Sequence, residues 1–131
     1  VNGNPHIQLL EPIRNRTALA TIMASCDALV HGSSAETFGL VASEALASGL
    51  PLILPNAGAV ADIAHPDFSE TYVPGNAHDA ASAIERLLDR DQHQLRSAAH
   101  HAAMTARTLD EHFTELFQTY ADAISEKREA A

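Results

Sequence analysis

The chain has 131 residues, with 8 Lys plus Arg against 17 Asp plus Glu and a formal net charge of -9. That length suits a single domain. A composition of 46% hydrophobic and 19% charged residues is that of an ordinary globular protein, which excludes disordered, collagen-like and disulfide-scaffold classes. The acidic balance counts against nucleic acid and anionic membrane surfaces as general partners, because both require a basic face.

The cations are unevenly spread: Arg14 and Arg16 are the only ones before Arg86. Cys26 alone allows no intramolecular disulfide and suits a reducing compartment, so a cytoplasmic location is expected. No segment approaches the ~20 apolar residues of a membrane span, and the first residues lack a charged leader followed by an apolar stretch.

In chain order, His6–Leu10 is a short apolar run between Pro5 and Pro12 and reads as a strand. From Thr17, Leu19, Ile22, Met23 and Cys26 recur at the spacing of one buried helix face. Ala28–His31 forms a second strand, stopped by Gly32-Ser33-Ser34, and a helix follows from about Phe38 to Ser48, closed by Gly49. Leu52–Leu54 between Pro51 and Pro55 makes a third strand. Asn56 to Ser69 is loop or broken helix, and Thr71–Val73 is a weak fourth strand ending at Pro74-Gly75.

Three helices then complete the chain. Asn76 caps the first, which carries Ala80, Ile84, Leu87 and Leu88 on one face. Asp91 opens the second, with Leu95, Ala98, Ala102 and Ala106. Thr108-Leu109-Asp110-Glu111 has the pattern of a capping box, and the third helix repeats Leu109, Phe113, Leu116, Phe117, Tyr120 and Ile124 at helical steps. Apolar strands alternating with helices predict an α/β domain, a Rossmann-like parallel sheet of about four strands flanked by helices. Nothing in the composition divides it in two.

Chemistry concentrates between His31 and Pro51. Glu44 is the only charged residue between Thr37 and Asn56, on a helix apolar nearly all round, which places its carboxylate inside the protein or at a cleft mouth. The alternative is a local partner, a backbone group or an arginine. Glu36 and Thr37 lie at the carboxyl end of the preceding strand, where open α/β sheets hold their ligands. With Thr37 as N-cap, the free N–H groups of Phe38, Gly39 and Leu40 would face sugar hydroxyls or a phosphate, and Gly39 would let a ligand approach the backbone. An ordinary helix start reads the same way. Ser33 and Ser34 reach phosphate or simply shape the turn. His31 stands beside this region, as a ligand contact or as a hydrogen-bonded structural residue.

Glu36-Thr-Phe-Gly-Leu40, followed by Glu44-Ala-Leu-Ala-Ser-Gly-Leu-Pro51, strongly resembles the donor-binding domain of GT-B glycosyltransferases, and more narrowly the retaining family 4, or group 1. The order of elements agrees along essentially the whole chain. The resemblance implies that residues 1–131 form the nucleotide-sugar-binding, C-terminal half of a GT-B fold, without its first strands and without the N-terminal acceptor domain. It implies that Glu36 lies at the transferred sugar, the catalytic centre, and that Phe38, Gly39 and Leu40 face sugar and diphosphate through their amides. Glu44 would bind the ribose hydroxyls; Thr37, Ser34 and Gly58 complete the donor-binding set. The partner is then a nucleoside diphosphate sugar, with no cofactor and no metal, and the piece alone is expected to be inactive. A carboxylate that accepts two protons from a vicinal diol suits these roles.

Three features depart from the family pattern. Ala57-Gly58-Ala59 stands where two glycines and an acidic residue are usual, and His31-Gly32-Ser33-Ser34 replaces a Pro-Ser. The Gly-Arg and Lys that neutralise the diphosphate are missing; Arg14 and Arg16 are candidates to compensate, or else solvated residues leading into a helix. Two other classes compete with the transferase: a non-catalytic α/β interaction module, and a GT-B-type nucleotide-sugar epimerase fragment. The 8 histidines include no His-x-x-x-His pair, so metal binding is not expected. The last helix is expected to pack across the domain junction in a longer protein, with peripheral membrane contact there, and to drive homodimerisation in isolation.

Overall fold

A computed structural model describes residues 3–33, 35–106 and 108–129. Three strands, β1 (Leu29–Val30), β2 (Leu52–Pro55) and β3 (Ser69–Tyr72), form one parallel sheet in the order β1-β2-β3. Leu29 pairs with Leu52 and Ile53 with Glu70. Five α-helices accompany them: α1 (Arg16–Ser25), α2 (Leu40–Ala47), α3 (Ala77–Leu88), α4 (Gln92–Thr105) and α5 (Leu109–Glu129). The architecture is the expected α/β class ending in three helices.

Among the described residues the sheet has three strands rather than four. His6–Leu10 takes no strand structure, and Ile7, Leu9 and Leu10 are exposed. Apolar character is not enough to make a strand, because a strand also requires a neighbouring edge to hydrogen-bond with.

Strand β2 is the axis of the core. Its residues are buried on both sides, and successive side chains serve opposite faces. Leu52 and Leu54 join Ala42, Ala45 and Leu46 of α2, Met23 of α1 and Ala99 of α4. Ile53 turns the other way, to Tyr72 with Ala83 and Leu87 of α3 and Leu95 of α4. Helix α4 therefore contributes to both clusters, through Leu95 and Ala99. On α1 only Met23 is buried; Ile22 and Cys26 of the expected apolar face are exposed. Helix α1 packs on α2 alone among its larger contacts, so half of its apolar stripe has nothing to cover it.

The helix ends follow their sequence signals. Asn15 accepts from the Ala18 amide, Asn76 from Asp79, and Asp91 from His93 and Gln94. Thr108 and Glu111 exchange the two bonds of a capping box at 2.8 and 3.2 Å. Helix α2 stops in a left-handed Gly49 (φ 69), with Leu50 N–H donating to Ala45 O and Gly49 N–H to Leu46 O.

Arginines staple the elements together. Arg86 and Arg90 of α3 and its following turn both reach the Glu70 carboxylate of β3, at 3.0 and 3.1 Å. Arg96 of α4 donates to the backbone carbonyls of Ala24 and Cys26, the loose C-terminal end of α1. Arg86, Arg90 and Arg96 thus serve structural contacts.

Candidate functional site

Because the strands are parallel, the loops after β1 and β2 leave the sheet at the same edge, the edge where α/β proteins hold ligands. The loop after β1 carries most of the candidate residues. His31 N–H still pairs with Ile53 O at 2.9 Å, and the His31 carbonyl accepts from the Tyr72 hydroxyl at 2.6 Å. The loop thus leaves from a position fixed to β2 by a backbone bond and to β3 by the Tyr72 hydroxyl.

The His31 ring is buried. Its Nδ1 accepts from Ser33 N–H at 3.3 Å, and its Nε2 lies 3.5 Å from Glu36 Oε2. The other Glu36 oxygen, Oε1, accepts from Thr37 N–H at 3.2 Å. The Glu36 side chain is 30% exposed and the His31 side chain 7%. Of the two roles open to His31, the structure shows the hydrogen-bonded one, through Ser33 N–H, with Nε2 in 3.5 Å contact with Glu36.

The helix start differs from expectation. Thr37 is not the N-cap; that position falls to Gly39, in the left-handed region at φ 61, and α2 begins at Leu40. Of the three expected amides, only that of Leu40 lies in the first turn of the helix. The shift has a backbone and a packing reason. The left-handed backbone favours glycine there, and a Cβ on Gly39 would also lie 2.5 Å from Ile63 Cδ1 and 3.3 Å from Val60 Cγ1, where the 3₁₀-helical turn Ala59–Ile63 packs against the loop. The space beside it is occupied by the protein itself, not held open for a ligand. Gly58 begins that same turn with φ 78 and ψ -179, a conformation only glycine adopts readily. The loops after β1 and β2 therefore meet where Gly39 lies against Ile63 and Val60. Phe38 and Leu40 project into solvent at the rim, 78% and 68% exposed. Ser34 lies outside the described residues.

Glu44 is exposed rather than buried, because the side of α2 that packs on the sheet and α4 carries Ala42, Ala45 and Leu46 instead. It lines a groove of about 270 Å³ between α1 and α2, with Arg16, Leu19, Ala20, Met23, Ala47 and Ser48. This is the cleft-mouth alternative, and it pairs an acceptor-only carboxylate with a cation on mostly apolar walls. Glu36 does not line that groove, and neither does Arg14. The candidates thus divide between the β1 loop and the α1–α2 groove.

Two participants were not anticipated. Tyr72 looked like part of a weak strand; the signal available was that a buried tyrosine hydroxyl requires a partner. Arg16, expected to be a phosphate contact or a solvated residue, instead lines the groove with Glu44, a placement that depends on how α1 lies along α2. Among the described residues, no three His, Cys, Asp or Glu side chains gather closely enough to hold a metal ion, and no helix is long and apolar enough to cross a membrane.

Comparison with known proteins converges on one family. The family model described as "Glycosyl transferases group 1" matches residues 2–104. The GDP-mannose-dependent alpha-mannosyltransferase of Corynebacterium glutamicum is 35% identical over 117 residues, covering 82% of this chain and 26% of that protein. The D-inositol 3-phosphate glycosyltransferase of Mycolicibacterium smegmatis is 33% identical over 121 residues, covering 89% of this chain and 27% of that protein. Among solved structures, sucrose-phosphate synthase from Thermosynechococcus elongatus superposes with a TM-score of 0.69 at 26% identity, over 83% of this chain and 28% of that one. Anabaena HepE in complex with UDP gives 0.60 at 26% identity, over 80% and 29%. The chain spans about a quarter of the length of these relatives.

Proposed function

The chain belongs to the glycosyl transferases group 1 family, and on that premise we propose that it is the donor-binding part of a retaining glycosyltransferase. The whole enzyme would move a sugar from a nucleoside diphosphate sugar to an acceptor hydroxyl. The observation that carries this reading is the placement of two carboxylates on either side of one helix start. Glu36 stands in the β1 loop, and Glu44 faces a groove between α1 and α2.

In this reading Glu44 accepts the ribose hydroxyls, the one task an acceptor-only group on an apolar-walled groove performs well. Glu36, held by His31 and Thr37, receives hydroxyls of the transferred sugar and is the residue at the reacting centre. The Leu40 amide and its neighbours in the first turn of α2 meet the diphosphate, where the helix end favours negative charge. Gly58, Thr37, Phe38 and Gly39 shape the wall of that site, and Ser34 belongs to the same set. Arg16 is a candidate cation for the nucleotide. Charge developing on the leaving diphosphate would be stabilised by these fixed dipoles, with the donor's own phosphate oxygen assisting the acceptor hydroxyl. No cofactor or metal enters this scheme.

The relative named for GDP-mannose and the neighbour that holds UDP support a nucleoside diphosphate as the handle. The acceptor would be chosen by a second domain, across whose junction the apolar face of α5 packs; without that domain the chain is inactive and α5 pairs with a second copy. A cytoplasmic location accords with the lone free Cys26.

Calorimetric titration of the full-length gene product containing this chain, with UDP, GDP and ADP and their hexose esters, tests the reading. Glu44→Ala is expected to weaken nucleoside diphosphate binding at least tenfold, about 1.4 kcal/mol. Glu36→Ala is expected to spare the nucleotide and erase discrimination among sugars. Absence of binding to every nucleotide and nucleotide sugar would refute the proposal.

A further inference from the structure

We propose that His31 is a positioning residue for the donor sugar, fixing the rotamer of Glu36 through its Nε2–H. The inference rests on the reading of Glu36 as the sugar-binding carboxylate and extends it to the residue behind that group.

The argument is one of hydrogen-bond bookkeeping at a buried ring. Backbone N–H groups only donate, so Ser33 N–H, 3.3 Å from Nδ1, requires that nitrogen to be the acceptor. The neutral imidazole then carries its proton on Nε2, the nitrogen 3.5 Å from Glu36 Oε2. The ring cannot rotate away, because it is packed inside the protein with its side chain 7% exposed. Nor can its backbone shift: the His31 amide is bound to Ile53 O, and its carbonyl accepts from Tyr72 Oη, a residue 41 positions further on. The path from Tyr72 of β3 through His31 to Glu36 thus runs from a buried side chain to a partly exposed carboxylate.

One Glu36 oxygen faces His31 Nε2 at 3.5 Å and the other accepts from Thr37 N–H, and each oxygen keeps a free lone pair. A carboxylate held in this way can accept two adjacent hydroxyls without first losing rotamer freedom, which is the meaning of preorganisation at a binding site. A free glutamate at the same position would lose that freedom on binding. The effect should therefore appear in the sugar's contribution to affinity and not in the nucleotide's.

The test compares two amides in the full-length gene product. In His31→Gln the side-chain amide nitrogen reaches the place of Nε2, whereas in His31→Asn it reaches only that of Nδ1. Dissociation constants are measured by calorimetry for UDP with UDP-glucose and for GDP with GDP-mannose, and the ratio of free nucleotide to nucleotide sugar is read for the pair that binds. His31→Asn is expected to lower that ratio about tenfold, the loss typical of one hydrogen bond to a charged group, with the free nucleotide unaffected. His31→Gln is expected to keep it within about threefold. Equal losses in both variants, no loss in either, or a fall in nucleotide affinity itself overturns the inference. If Glu36→Ala leaves the ratio unchanged, the reading of Glu36 fails first and separately. A measurement on the unaltered protein stands independent of whether the variants fold: ¹H–¹⁵N correlation of histidine side chains must show His31 protonated at Nε2, and an Nδ1–H tautomer overturns the proposal.

Discussion

Helices α2 and α5 both carry strong apolar signals in sequence, and only α2 is covered. Helix α2 has scarcely any polar face, with Glu44 its only charge, and three of its residues are packed in the core. Helix α5 has the clearest apolar stripe in the chain, yet Phe113, Phe117, Tyr120 and Ile124 are 47–64% exposed, with only Leu116 half-buried. Periodicity states that a helix has a side to cover. What covers it is decided by geometry, and the two helices received opposite answers.

The contrast is open to direct attack. Leu54→Ala removes a fully buried side chain from the α2 face of β2 and is expected to cost ~2–5 kcal/mol in urea unfolding, with a cavity left behind. A loss below about 1 kcal/mol would mean that the α2 side is not the packed side. Gly39→Ala comes next, at roughly 2 kcal/mol, from the left-handed backbone together with the collision at Ile63. Pairing it with Ile63→Ala separates the two causes, since the double change should recover the steric part only. Phe117→Ala should fall within about 0.5 kcal/mol for the monomer, the ordinary range for a surface change. Analytical ultracentrifugation should nevertheless show less self-association than in the parent chain. A large loss of monomer stability there would erase the difference between the helices.

The same contrast shows how far the sequence could be read. Caps and stops were legible because their signals are local: Asn76, Asp91, Gly49 and the Thr108–Glu111 pair each act within a few residues. Two of the three strands lay where their apolar runs predicted, within a residue or two, and β3 began two residues early. His6–Leu10 failed because pairing depends on an edge that no local pattern reveals. In the site, Glu36 and Glu44 were legible as types of group, but their surroundings were not. Gly39 displaced the expected cap at Thr37 because Ile63, 24 residues further on, fills the space next to it. The His31–Tyr72 bond was hidden for the same reason, since its partners meet only through the sheet.

The Arg96 contacts with Ala24 and Cys26 have a consequence for assembly. Helix α1 is 10 residues long, too short to persist in water by its own hydrogen bonds. The side chain that secures its C-terminal end lies up to 72 residues downstream. Helix α1 must therefore wait for α4, some 70 residues further along the chain, before its end is fixed, and the entropy of closing that loop is spent before the helix gains its anchor. Native-state hydrogen exchange reads this order directly: the α1 amides of Leu19 and Ala20 should open well before that of Leu87 in α3.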